Sequence, residues 1–459
     1  MQMTDPALTR PDLDPRAGEL QPAALYGPRM RFEDYLQFLS EAPLDHVAGL
    51  LHERALAAHT GNLSFYDDTR GSYRGYVDLS GQEPVYYSLN LSPLVILPAM
   101  LAAFLHGIDV DLEKYVERPL QWLHDNRYGE IAPHVFGVLE EAPGKESQIW
   151  LKYSAEKAAI EADYAQILRQ FGNKTLAEQH IERAIGNAQF VMAAADNDYS
   201  PKFDLVTGQW IPSGWHAKGR SVEALARLWK ITGDRRFRDY ALLFGERLIT
   251  LWDARRGPFF RDEEGHLCFD SDLAGPPLRA LLICYRLSVA QGLPDKARRF
   301  LRYAIRFAKW LEARQERNGA YPLRIFKERH LNLHRDSQEE LRWVLSHRRE
   351  PGSALHLNGV TSPGDVANIT LGLIELMECT GRRTYLESIM LGTAYCLYVQ
   401  NMDPTSVAYG LPPSWRHIED MEDPWQSLDD TYSGDQGGLL ERLFLLLEES
   451  MSDRPELYR

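Results

Sequence analysis

Cysteine is scarce: four in 459 residues, Cys268, Cys284, Cys379 and Cys396. No two of them form a CxxC pair or take zinc-ligand spacing, so a structural zinc site and a redox-active dithiol both drop out. Buried thiols in a reducing compartment are the expectation. Long apolar runs are also missing. The longest, around 94–104, falls short of the roughly 20 residues a bilayer span needs. The opening stretch MQMTDPALTRPDLDPRAGEL is polar and proline-rich, without the apolar centre of a secretion signal. The expected location is cytoplasmic, away from membranes. Positive charge is in deficit, with 51 Lys and Arg against 65 Asp and Glu and a formal charge of −14. That balance argues against nucleic acid, which proteins meet with a basic face.

What remains is an ordinary soluble composition, 44% hydrophobic and 25% charged. The length suits two or three average domains, or one toroid or barrel. A repeat favours the second. In five places a helical apolar pattern stops at a glycine and resumes within a few residues: Gly107, Gly172, Gly233, Gly292 and Gly381. A glycine just past a helix end takes the left-handed conformation at no steric cost, and nearby Asp, Asn, Pro or Thr can start the next helix. The first three intervals are about sixty residues and the last is one such period plus roughly thirty; that period is longer than helix-pair solenoid periods and fits a helical hairpin plus a substantial loop.

The helices before these glycines are expected at about 92–106, 151–171, 217–232, 276–291 and 364–380, with a sixth at 435–449. Those after them are expected at about 110–125, 176–195, 235–252, 294–314 and 383–400, and a helix at 44–59 precedes the repeat. The first set is apolar over most of its circumference, as in LSPLVILPAMLAAFL. The second alternates apolar and charged faces, as in PDKARRFLRYAIRFAKWL. Six helices of each kind close into an all-α (α/α)6 toroid, with the helix at 44–59 packed beside the last. The expected organisation is an arm over 1–43 and one toroid over 44–459, interrupted by an insertion at about 314–360. An open helical-repeat solenoid is the alternative.

The segments joining one hairpin to the next are long, and in a toroid they share one face, above the N-termini of the inner helices. They hold Tyr66, Tyr73, Tyr76, Tyr86, Tyr87, Trp210, Trp215, Phe259, Phe260, Tyr321, Trp415, Trp425 and Tyr432. Aromatic faces stack on sugars while interleaved charged groups fork onto hydroxyls, so a carbohydrate cleft is expected there. The chain resembles the six-hairpin toroid group of glycoside hydrolases, polysaccharide lyases and N-acylglucosamine-epimerase-like proteins. The stretch Gly214-Trp215-His216-Ala217-Lys218-Gly219-Arg220 resembles the Trp/Arg/Gly start of an inner helix in unsaturated glucuronyl hydrolases, departing from it in the spacing of Lys218 and Gly219.

Inverting glycosidases of this architecture need two carboxyl groups, one as acid and one to position water. The candidates are Asp429 and Asp430 in DDTYSGDQGG and Asp365 in TSPGDVAN, with Asp435 nearby; Asp365 and Asp435 also sit where helix caps occur. A lyase or epimerase would use Tyr432 or His216 as base, with Lys218, Arg220, His356 and Asn358 around the substrate. Trp215, Arg220, Tyr87, Asn90, Trp210, Tyr321, His356, Asn358, Trp425 and Asp435 are the expected substrate contacts. Arg220 lies one turn after His216, with Glu223 placed to pair with it.

The insertion is locally basic and carries His330, His334, His347 and His356 without a helical HxxxH pair, so no metal is expected from it. It reads as a lid or subsite wall for an anionic substrate, or as a solvated, charged excursion or an oligomer contact, which leaves a homodimer open. The reading is a glycoside hydrolase acting on an oligosaccharide without a cofactor. A uronate lyase or sugar epimerase is the alternative, then an isoprenoid-processing toroid, then a non-enzymatic scaffold.

Overall fold

The computed structural model describes residues 30–79, 81, 84–87, 93–140, 146–211, 218–250, 260–261, 267–270, 275–326, 360–417, 421–425, 427 and 431–459. Side chains are described for all of these except 85–87, 218, 260–261, 267–270, 324–326 and 417.

Five turns that the sequence marks with glycine are built on that residue's freedom. Gly107, Gly172, Gly233, Gly292 and Gly381 have φ of 93°, 83°, 72°, 67° and 64°, in the region where a side chain would be strained. They join helices into hairpins. Among the described residues there are thirteen α-helices. They are α1 (Phe32–Glu41), α2 (Leu44–Leu63), α3 (Pro93–Leu105), α4 (Arg118–Asn126), α5 (Leu151–Gln170), α6 (Lys174–Asp196) and α7 (Lys218–Thr232). There follow α8 (Arg235–Thr250), α9 (Gly275–Ala290), α10 (Pro294–Glu312), α11 (Pro363–Thr380), α12 (Leu386–Val399) and α13 (Gly434–Asp453).

The inner ring is α3, α5, α7, α9, α11 and α13. Each packs on the next, and α13 packs back on α3. The outer helices α4, α6, α8, α10 and α12 pack on α3, α5, α7, α9 and α11, and α2 packs on α13. The ring is therefore closed, an (α/α)6 toroid, and the open solenoid is excluded. Burial follows the two compositions. In α11 an unbroken run from Pro363 to Ile374 is buried, whereas α10 buries only Ala297, Phe300, Ala304, Phe307, Ala308 and Leu311 along one stripe.

Close approach of the inner helices depends on small residues near their starts. A β-carbon on Gly219 of α7 would lie 2.6 Å from the Pro276 carbonyl carbon of α9, and one on Gly275 of α9 would lie 2.5 Å from the Asn368 carbonyl oxygen of α11. One on Gly364 of α11 would meet Gln436 of α13 at 2.5 Å, and one on Gly438 of α13 would meet the Val95 carbonyl oxygen of α3 at 3.1 Å. The contact passes from helix to helix around the ring.

The long connections carry strands that pair with one another. Thr431–Ser433 pairs antiparallel with Tyr76–Asp78, which pairs with Val85–Tyr87, so the last connection is tied to the first. Tyr128–Ala132, Val135–Leu139, Gln148–Trp150, Lys202–Asp204 and Gln209–Ile211 form one five-stranded sheet from two connections. Val360–Thr361 pairs with Arg416–His417. These pairings gather the connections on one face.

Within the segment expected as an arm, α1 is folded and packs on α12. Cys284 and Cys396 are buried free thiols, and burial raises both thiol pKa values. No helix of the described residues is long and apolar enough to cross a membrane.

A buried charged cluster joins α5, α6 and the single π turn Glu113–Glu117 that leads into α4. His180 meets Glu161 through Nδ1 and Glu117 through Nε2 at 2.7 Å, and Lys157 donates to Glu161 at 2.5 Å. Burial alone would lower the imidazole pKa, but attraction to Glu161 and the bond to Glu117 outweigh it and raise the pKa to about 9. The imidazolium therefore stabilises the fold fully below its ordinary value of 6.5, and that contribution is lost as pH rises through about 9. Urea unfolding of the wild type should show stability falling between these pH values, and His180→Gln should flatten the fall. An unchanged slope in the variant would assign the alkaline arm to another group.

Candidate functional site

Charged residues are costly on the inward stripe of a ring helix, so those found there need a reason. On α7 the residues Arg220, Glu223 and Arg227 follow helical spacing and face a cavity on the ring axis. Glu156, Ala159 and Ile160 of α5, Leu94, Val95 and Pro98 of α3, and Leu439 and Arg442 of α13 complete its lining. All of these belong to the N-terminal half or the middle of their helices. The cavity measures about 30 Å³, room for roughly two waters.

The charges form a network across the ring. Arg220 lies between two carboxylates, its Nε 3.1 Å from Glu156 of α5 and its Nη1 3.7 Å from Glu223 of its own helix. Glu223 then reaches Arg279 of α9 at 3.5 Å, and Arg279 reaches Glu375 of α11 at 2.6 Å. Arg286 of α9 also meets Glu375, at 3.4 Å, and Arg227 pairs with Asp163 of α5 at 2.9 Å. Four inner helices are stitched together in this way.

Arg279 and Arg286 donate hydrogen bonds to Glu375, but the other ion pairs at the cavity are not matched in this way. Buried atoms Arg220 Nε, Glu223 Oε1 and Arg279 Nη1 make none, in an interior where nearly every polar atom has one. Burial alone would raise the Glu223 pKa, but Arg279 and then Arg220 outweigh it, so the carboxyl stays ionised below its usual range. Burial, with Arg279 and Arg220 close by, lowers the Arg442 pKa to about 9, which leaves it charged at neutral pH.

Of the residues expected from the sequence, Arg220 lines the cavity, and Asp365, Asp435 and Tyr432 stand at or just before the starts of inner helices. Asp365 stands in the first turn of α11 and is 5% exposed, and Asp435 stands in the first turn of α13. Neither is the N-cap. Those positions belong to Ser362 and Ser433, and Ser433 Oγ accepts from the Asp435 N–H at 3.1 Å. Both carboxyls lie where the helix dipole favours negative charge. Tyr432, in the strand before α13, donates its hydroxyl to the Trp425 carbonyl. Arg220 is at the cavity, paired as described.

Trp210 stacks on Phe190 of the outer helix α6 at 5.3 Å and meets Phe203 edge-on at 5.2 Å, so its ring fastens the sheet to that helix. Tyr321 is 1% exposed, and its hydroxyl makes no hydrogen bond among the described residues. Tyr87 pairs with Tyr76 through the backbone. Asn90, Trp215, His216, His356, Asn358, Asp429 and Asp430 lie outside the described residues, as does most of the insertion.

Glu156, Arg227, Arg279, Glu375 and Arg442 do not stand out in a reading that asks only whether the inner helices are apolar. The available signal was spacing: 220, 223 and 227, 156 and 163, and 279 and 286 each return to one helix face.

No sequence family and no curated protein matches the chain in sequence. Solved structures match its fold. A sugar epimerase from a ruminal bacterium aligns with a TM-score of 0.59 at 12% identity, over 87% of this chain and 98% of its own. A D-mannose isomerase aligns with a TM-score of 0.60 at 12% identity, over 86% and 97%. A family 76 glycoside hydrolase, a mannosidase from Bacteroides thetaiotaomicron, aligns with a TM-score of 0.54 at 13% identity, over 89% and 100%. The chain thus has the (α/α)6 toroid fold of these proteins.

Proposed function

We propose that this chain is a carbohydrate-active enzyme that works at the mouth of the ring, and that its reaction is hydrolysis of a glycosidic bond in an oligosaccharide. The observation that carries the reading is the pair of carboxylates, Glu156 and Glu223, held on either side of Arg220 at one axial cavity. Glu223, kept ionised by Arg279 and Arg220, suits the group that orients water or steadies a developing oxocarbenium charge. It does not suit the proton donor. The acid is then sought among Asp365, at the start of α11, and the sequence candidates Asp429 and Asp430. The pyranose itself stands at the mouth, with the small cavity beneath it.

A second reading, epimerisation or isomerisation of a sugar, is favoured by the likeness to a sugar epimerase and a mannose isomerase. It asks for a base that removes a carbon-bound proton. The Tyr432 hydroxyl is held by a backbone carbonyl, so that role goes to His216. Incubation with neutral and uronic-acid oligosaccharides separates the readings. Hydrolysis liberates reducing ends, epimerisation changes sugar identity with no new ends, and elimination creates an ultraviolet-absorbing unsaturated uronate. New reducing ends are the expected result. Sugar exchanged without new ends would replace the hydrolase reading with the second, and an inert panel would contradict both.

A further inference from the structure

One arginine of the axial network has no carboxylate paired to it among the described residues. Arg220 is matched by Glu156 and Glu223, Arg227 by Asp163, and Arg279 and Arg286 by Glu375. Arg442 of α13 lines the same cavity, yet no hydrogen bond or ion pair reaches its guanidinium among the described residues. Its electrostatic neighbours are Arg279, Arg220 and Arg227, with Glu223 as the one carboxylate among them. A guanidinium left among like charges is a standing cost to the fold, since an uncompensated buried charge is expensive. Its planar fork matches an oxyanion. The cavity before it, about 30 Å³, is of a size to take a carboxylate group.

We propose that the axial cavity is an anion site, in which Arg442, flanked by Arg220, receives the carboxylate of an acidic sugar whose ring stands in the mouth above. Two observations point the same way: a guanidinium at the cavity with no carboxylate paired to it among the described residues, and a small volume, about 30 Å³, that suits a carboxylate head. The proposal rests on the carbohydrate reading and names its substrate class. The shared chemistry is a small oxyanion, which could be carried by the sugar or be free in solution.

Calorimetric titration of the full chain at constant ionic strength tests it, with glucuronate, glucose and acetate as probes. Glucuronate should bind at least tenfold more tightly than glucose. Arg442→Gln should abolish that preference, while Arg442→Lys should keep part of it. Thermal melting without ligand should show Arg442→Gln no less stable than wild type, since it removes an unmatched charge. Should Arg442→Gln fail to fold, the Lys variant still decides, because it keeps charge and loses only the fork. Acetate binding with no glucuronate binding would make the site one for free anions and overturn its link to the sugar. Equal binding of glucose and glucuronate, or glucuronate binding unchanged in Arg442→Gln, would overturn the proposal outright. Turnover of neutral saccharides without anion preference would sink this inference and leave the hydrolase reading standing. Anion binding with no turnover on any saccharide would do the reverse.

Discussion

Glu223→Gln is expected to lower kcat at least a hundredfold on whichever saccharide the wild type turns over. That is a loss of about 2.7 kcal/mol in transition-state stabilisation. The substitution keeps the shape of the side chain and removes its charge. In the wild type that charge is fixed by Arg279 at 3.5 Å and Arg220 at 3.7 Å, on the wall of the axial cavity. An amide cannot assist a water nucleophile or balance an oxocarbenium ion. The same change leaves two guanidinium groups less compensated, so melting should fall as well. Specific activity must therefore be taken per folded molecule, below the onset of unfolding. If Glu223→Gln folds and keeps full turnover, the network is architecture alone.

The largest effect on stability is expected from Arg279→Ala. Arg279 connects α9 to α7 through Glu223 and to α11 through Glu375, with its side chain only 11% exposed. Burial alone would lower its pKa, but Glu223 and then Glu375 overcome this and raise it above the usual range for arginine. Removing one partner of a buried pair costs about 3–5 kcal/mol, because the abandoned charge stays buried. Here two carboxylates are abandoned at once, although Arg286 still reaches Glu375 at 3.4 Å. Urea unfolding should show the loss. Arg279→Met combined with Glu375→Leu should recover part of it, since a buried pair replaced by apolar groups is often neutral. Loss below 1 kcal/mol in Arg279→Ala would mean that water, rather than Arg279, compensates the ring carboxylates.

The ring itself was legible in the sequence because its signals are local. Helix composition and the turn glycines act within a few residues, and the inner helices begin and end within a few residues of their expected bounds. The helix expected at 435–449 runs on to Asp453, since no glycine marks its end. The strands in the connections were not foreseen. Each is five residues or fewer, and several depend on pairing with a distant connection, as Thr431–Ser433 does with Tyr76–Asp78. A single π turn ahead of α4 likewise leaves no local mark.

The site was legible in part. Arg220 and Glu223 were paired on spacing, and that pair is present at 3.7 Å, but the stronger partner is Glu156 of the neighbouring helix at 3.1 Å. A contact between helices separated by a hairpin has no sequence period to reveal it. Trp210 shows a contact that the sequence did not reveal. Its place among loop aromatics suggested a sugar platform, whereas its ring is committed to Phe190 and Phe203.

A crystal structure with a bound saccharide tests the central claim most directly, that the chemistry takes place at the mouth of the ring above the axial cavity. The sugar should stand over the first turns of α7, α11 and α13, with an oxygen within hydrogen-bond distance of Arg220 and Glu223 beneath it. A saccharide held instead at the opposite face, by the turns at Gly107 and Gly233, would contradict the claim.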